Sequence, residues 1–211
     1  MIRPFGEAAF LVEVPDADRA QAVARRLREG PPGGVLGAVP GRRSVLVEVD
    51  PLSRAIETIP EALERLVVAT ATDEPPDGRL HEIPVRYGGA DGPDLPDVAR
   101  LASISTDEVI RRHTDAELRV LLVGFAPGFG YLGGLDAGLA VVARLATPRT
   151  RVSAGSVAIA DAMSGIYPAD LPGGWRIIGR TSVALFDPSL DPPSLLLPGD
   201  RVRFTVMASS S

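Results

Sequence analysis

The sequence predicts an α+β chain in which a small N-terminal α/β domain is followed by a β-barrel domain. Three observations predict it. Elements alternate as β-α-β-β-α through the first seventy of the 211 residues. A polar stretch, TATDEPPDGR (70–79), then interrupts the pattern with two adjacent prolines, the composition of a domain boundary. Beyond it, short apolar strands recur between Gly and Pro turn signals, which suits a closed or nearly closed barrel. The expected organisation is a small domain over 1–70, a linker over 71–80, a barrel over 81–207 and a disordered tail over 208–211.

In the first domain, AAFLVEV (8–14) reads as a strand ended by Pro15. A helix follows from Asp16, with Ala20, Val23, Ala24 and Leu27 on one face at the i, i+3, i+4, i+7 spacing. The run Gly30-Pro31-Pro32-Gly33-Gly34 stops it. A short strand at 35–39 and the alternating SVLVEV (44–49) come next. A second helix over roughly 53–68 buries Ile56, Ile59, Leu63, Leu66 and Val67, and Pro60 should kink or split it. Past the linker, EIPVRY (82–87) is a strand, and a short helix lies near 94–102. Another helix opens at Ser105 with Glu108 three residues on, a capping box, and runs to about His113. RVLLVGF (119–125), SVAIA (156–160), WRIIGRT (175–181), VALF (183–186) and VRFTV (202–206) complete the predicted strands.

Composition excludes much chemistry. All 22 basic residues are arginine, cysteine is absent, and the two histidines are His81 and His113. There is therefore no thiolate nucleophile, disulfide or Cys-ligated metal. There is no lysine for a Schiff base, attached biotin, P-loop or Ser–Lys pair. A formal charge of −5 argues against nucleic acid or an anionic membrane as partner. The N-terminal MIRPFGEAAF shows no apolar signal region, and the uncharged run 120–135 is shorter than the ~20 apolar residues of a spanning helix. A cytoplasmic protein is the expectation.

The residues that could carry chemistry concentrate at 124–181. GFAPGFGYLGGLD (124–136) sets Phe125, Pro127, Phe129 and Tyr131 among five glycines. Such a loop either walls a ligand pocket or is a tight structural connection. TPRTRVSAGSV (147–157) follows, and between 144 and 181 five arginines face two acids. Arg149, Arg151 and Arg180, with Gly155, Ser156 and Thr181, are the candidate anion-binding set, because guanidinium forks and backbone N–H groups take carboxylate or phosphate. Solvated or ion-paired surface arginines are the alternative. Tyr167 and Trp175 join the aromatic loop as candidates for a pocket or subunit interface. A Ser-His-Asp triad would need His81 or His113 to reach Ser153, Ser156 or Ser164, and both histidines read as structural. No carboxylate spacing suggests a metal site.

GFAPGFGYLGGLD, TPRTRVSAGSVAIA, GIYP, PGGWRIIGRT, LFDP and PGDRVRF together resemble the family of the 5-oxoprolinase B subunit, also labelled allophanate hydrolase subunit 1 and including the kinase inhibitor KipI. The resemblance is dense over 81–206 and looser before. It implies a cyclophilin-like barrel after a small α/β domain. It also implies partnership with a homologous-barrel C-type subunit and a third hydrolase subunit. The activity it implies is ATP-dependent opening of 5-oxoproline to glutamate, with ATP, accompanied by Mg, bound in the complex. A KipI-like inhibitor of a sensor histidine kinase is the alternative, and a carboxyltransferase module of a biotin enzyme a third. Without lysine, the chain cannot be a self-sufficient Ser-Ser-Lys amidase. It also departs from the family pattern: Ser153 replaces proline, Asp161 glycine, Met163 glutamine, Ser164 threonine and Leu171 serine.

Overall fold

The computed structural model describes residues 1–71, 73 and 78–207. The chain divides into two compact units, Met1–Pro76 and Asp77–Ser211. Much of the expected linker and all of the expected tail lie outside the described residues.

In the first unit, β1 (Ile2–Pro4), β2 (Ala9–Glu13), β3 (Val35–Pro40) and β4 (Ser44–Val49) form an antiparallel sheet in the order β1-β2-β4-β3. Helix α1 (Ala17–Glu29) begins where the Asp16 carboxylate accepts the Arg19 N–H at 2.8 Å, an N-cap. Its predicted stripe of Ala20, Val23, Ala24 and Leu27 is buried against Val12, Val45 and Val47 of the sheet. The second helix departs from expectation. A 3-10 turn at Ile56–Thr58 precedes α2 (Ile59–Ala69), so Pro60 falls in the first turn of a helix and kinks nothing. There its missing N–H has no intrahelical partner to lose. Strand β1 was not expected, because three residues carry no period to read.

The second unit runs β5 (Leu80–Tyr87), α3 (Leu95–Ala102), α4 (Thr106–Asp115), β6 (Glu117–Val123), β7 (Gly130–Gly133), β8 (Arg149–Val152), β9 (Ser156–Ala160), β10 (Met163–Ile166), β11 (Leu171–Gly173), β12 (Arg176–Arg180) and β13 (Arg201–Val206). A closed barrel forms in the order β10-β7-β6-β13-β5-β12-β9, while β8 and β11 pair separately. This is the α+β arrangement the sequence predicts. The β5–β13 pairing is parallel, with Val202 beside His81 and Phe204 beside Ile83. As the capping-box spacing predicts, Ser105 Oγ accepts the Glu108 N–H at 3.1 Å to open α4.

Strand β9 is buried at all five positions. Val157 and Ile159 join the barrel core with Ile83, Val120 and Phe204, to which α3 and α4 contribute Val98 and Val109. Ala158 and Ala160 face a second cluster built on Phe129, Tyr167 and Trp175. A strand apolar on both faces is what two-sided burial requires. Two predictions are corrected. VALF (183–186) is not a strand; apart from one bridge from Phe186 to Ser194 it is irregular, and its apolar run reflects Leu185 packed into the core. Conversely β7, β8, β10 and β11 lie outside the predicted strands, and the glycines of β7 and β10 and the proline and glycine of β11 read as turn signals.

Strands β9 and β10 are joined through Asp161 (φ 52°) and Ala162 (φ 66°). That left-handed pair is the geometry of a tight type I′ hairpin, where Asp is tolerated better than Ala. Ala162→Gly should therefore stabilise the protein by about 1 kcal/mol, read as a raised urea midpoint with unchanged m-value. Among the described residues, no helix is long and apolar enough to cross a membrane.

Candidate functional site

Phe129 is the centre of the aromatic cluster. Its ring meets Phe125, Tyr131, Tyr167 and Trp175 edge-on at centroid distances of 5.4, 5.0, 5.4 and 5.7 Å, the geometry aromatic quadrupoles favour. The cluster sits on Gly165 of β10, where an added Cβ would lie 3.0 Å from Phe129 Cζ and 3.1 Å from Trp175 Cζ3. Glycine there lets the rings reach the strand. Phe125 is 59% exposed and adopts φ 71°, a strained conformation for a bulky residue. Around these rings opens a cavity of about 280 Å³, lined also by Arg144, Pro148 and Gly173. Burial pushes the Tyr167 phenol pKa up.

Arg144 supplies the cavity's charge. Its guanidinium carbon lies 5.7 Å from the Trp175 ring centroid, within cation–π range. Its Nε donates to Asp161 Oδ2 at 2.7 Å. Sequence reasoning counted Arg144 only as one of five nearby arginines, and nothing in its spacing marked it as the one facing the rings.

The predicted pocket residues Phe125, Phe129, Tyr131, Tyr167 and Trp175 thus come together, whereas Pro127 is exposed and lines no part of the cavity. The predicted anion set does not assemble into an open site. Arg149 Nη2 donates to Asp94 Oδ1 at 2.7 Å, and Asp94 Oδ2 accepts the Ile177 N–H at 2.7 Å. Through Asp94, at the start of α3, Arg149 therefore ties β8 to strand β12 of the barrel. Arg151 pairs with Asp170, whose carboxyl is held below its usual range by the Ala154 N–H and then by Arg151. The Gly155 N–H donates to the Tyr167 carbonyl at 2.7 Å and the Ser156 N–H to the Ser153 carbonyl at 3.2 Å. Neither amide remains for an anion. Arg180 donates through Nε to the Ala154 carbonyl at 3.1 Å, and Thr181 is buried with its Oγ1 accepting the Val183 N–H.

Both histidines are buried. His81 Nε2 lies 2.9 Å from Asp200 Oδ2, which also accepts the Leu197 N–H. His113 joins Tyr87 and Ser164: Tyr87 Oη is 2.7 Å from Nδ1 and Ser164 Oγ 2.9 Å from Nε2. Ser164 in turn donates to the Ala158 carbonyl at 3.2 Å. So His113 does reach a serine, but Ser164 is fully buried, its proton sits on a carbonyl, and the third partner is a phenol. The trio ties α4 and β5 to β10 and offers no nucleophile. Among the described residues no group of three or more His, Asp or Glu is placed to hold a metal ion.

Comparison with known proteins places this architecture. The family model described as carboxyltransferase domain, subdomain C and D, matches residues 1–196. The B subunit of 5-oxoprolinase from Bacillus subtilis (strain 168) is 37% identical over 219 residues, covering 96% of this chain and 91% of that protein. Its counterpart of the same name from Escherichia coli O157:H7 is 43% identical over 206 residues, covering 94% and 92%. The crystal structure of TTHA0988 superposes with a TM-score of 0.80 at 36% identity over the whole of this chain, which spans only 41% of that longer one. With a family match across nearly its full length and relatives of its own size, the chain belongs to the carboxyltransferase domain, subdomain C and D, family that includes the B subunits of 5-oxoprolinase.

Proposed function

We propose that this chain is a subunit of a heteromeric, ATP-dependent amide hydrolase that opens 5-oxoproline with water to glutamate, converting ATP to ADP and phosphate. The observation that carries the reading is identity of 37% and 43%, over more than nine-tenths of both chains, to proteins named as the B subunit of 5-oxoprolinase. The aromatic cavity supports it. At about 280 Å³ it is smaller than most drug-sized pockets, and apolar walls with one convergent charge suit a small, flat acid.

The arginines bear on where the remaining chemistry lies. Arg149 and Arg151 already carry acidic partners, and the Gly155 and Ser156 amides are spent within the fold. This supports a reading in which ATP, with its Mg, is bound in the assembled complex rather than by this chain alone. A homologous-barrel C-type partner and a third hydrolase subunit complete the assembly.

Coexpression with the neighbouring subunits and an assay of 5-oxoproline-dependent ADP release tests the reading. The complex should turn over, the chain alone should not, and Trp175→Ala should lower the complex's kcat/KM by about tenfold or more through loss of a cavity wall. ATP hydrolysis indifferent to 5-oxoproline overturns the reading. Blocked autophosphorylation of a captured sensor histidine kinase would replace it with the KipI-like one.

A further inference from the structure

We propose that Arg144, braced by Asp161 over Trp175, is the carboxylate-binding residue of the aromatic cavity, and that the cavity's ligand is a small monocarboxylic acid. This rests on the reading of that cavity as a ligand site, though not on which acid fills it.

Among the described residues Arg144 is the one charged side chain lining the cavity. Its side chain is 54% exposed, and Asp161 engages it through Nε alone. The terminal nitrogens Nη1 and Nη2 make no hydrogen bond to any described residue. Their free edge presents two parallel N–H groups, the fork a carboxylate accepts bidentately. Neighbouring arginines differ. Arg149 donates to Asp94 through Nη2 and its unpartnered Nη1 is buried away from solvent, while Arg176 is largely buried and donates to Asp97 and to the Ala143 carbonyl.

The position is also held in advance. The Arg176–Ala143 bond (3.1 Å) and the Leu145 N–H to Gly174 carbonyl bond (2.7 Å) pin the backbone on either side of Arg144. The Asp161 N–H donates to the Val142 carbonyl at 3.0 Å, tying the hairpin turn to the same segment. Asp161 can therefore hold the guanidinium over the indole while its fork faces outward. Side-chain ordering that precedes binding adds to affinity.

Asp161 also sets the ligand's charge. Its carboxylate shares the guanidinium, so a second anion arrives beside an existing negative charge. A singly charged carboxylate tolerates that better than phosphate, whose charge approaches −2 and whose oxygens demand more donors than one fork supplies. The aspartate makes this chain's cavity more selective and weaker-binding than an arginine left unpaired.

Trp175 is the sole tryptophan, so its fluorescence reports the ring beneath Arg144 in the full chain. Three probes are titrated: 5-oxoproline, pyrrolidin-2-one (the same ring without the carboxylate) and inorganic phosphate. A saturable change is expected with 5-oxoproline only. Arg144→Gln should weaken it about tenfold or more. Asp161→Asn keeps an acceptor for Nε but removes the opposing charge, and should tighten it about two- to fivefold. Equal titration by pyrrolidin-2-one or phosphate, or an unchanged midpoint in Arg144→Gln, overturns the proposal. So does a complex that turns over 5-oxoproline with a KM indifferent to Arg144→Gln, although the oxoprolinase reading then survives. Titration by another monocarboxylate such as benzoate or cyclopentanecarboxylate, lost in Arg144→Gln and with no response to 5-oxoproline, upholds the proposal and removes the oxoprolinase reading instead.

Discussion

Replacing His113 with alanine should lower the unfolding free energy by about 3–5 kcal/mol, a large part of what a domain this size possesses. The imidazole is fully buried and stacked on Phe204 at 4.5 Å, 18° from parallel. Its loss leaves a cavity and also orphans the Tyr87 hydroxyl and one bond of Ser164, and unpaired buried polar groups cost about 1–3 kcal/mol each. The wild type should carry a pH signature from the same residue. Burial lowers the His113 pKa from 6.5 to about 3. The unfolded chain takes up the proton as pH falls through 6.5, while the folded chain refuses it until about 3. Within that window the unfolded state binds more protons, so stability is full above it and declines as pH falls. The slope approaches about 1.4 kcal/mol per pH unit. Unfolding free energies from urea titrations at pH 7 and pH 5 should differ by about 2 kcal/mol from this residue, and the contribution should vanish in His113→Phe. A slope that survives in His113→Phe would assign the proton uptake to another group.

What made parts of this molecule legible was side-chain pattern acting over a few residues. SVLVEV, SVAIA and VRFTV announce strands because alternation or continuous apolarity is a local property. Asp16 and Ser105 announce helix starts for the same reason. The strands Gly130–Gly133 and Leu171–Gly173 carry no such pattern, because partner strands and the rings of Phe129 and Tyr167 impose their extension. VALF carries the pattern without the pairing. The aromatic half of the site was partly legible from density, since Phe125, Phe129 and Tyr131 crowd among five glycines in 124–136, while Tyr167 and Trp175 stand beside glycines further along the chain. The charged half was not. Whether an arginine is a strut or a spare donor depends on acids supplied from elsewhere: Asp94 and Asp97 reach back from α3 to Arg149 and Arg176, while Asp161 and Asp170 come from turns beyond β9 and β10. Spacing records none of those partnerships, so Arg149 looked open and Arg144 looked ordinary.

Gly155 sharpens the distinction between a cradle for an anion and a crossing point of the chain, and Gly155→Ala should cost about 3–4 kcal/mol of stability or prevent folding. Its φ is 79°, a region where a Cβ costs about 1–2 kcal/mol. The added methyl would also fall inside the Thr181 carbonyl oxygen, a backbone atom that cannot rotate aside, and overpacking of this kind adds about 1–3 kcal/mol. Retreat is blocked from both directions. The Thr181 N–H donates to the Gly155 carbonyl at 2.9 Å, and the Gly155 N–H donates to the Tyr167 carbonyl at 2.7 Å. Tyr167 in turn packs on Phe129, so strain entering at Gly155 reaches the cavity. The variant should show a lowered urea midpoint and, without any ligand present, altered Trp175 emission. An anion-cradling glycine predicts the opposite pair of results, a midpoint close to wild type and a specific loss of phosphate binding. That outcome would return Gly155 and Ser156 to the site, and the amides now bonded to Tyr167 and Ser153 would have to open to receive the anion.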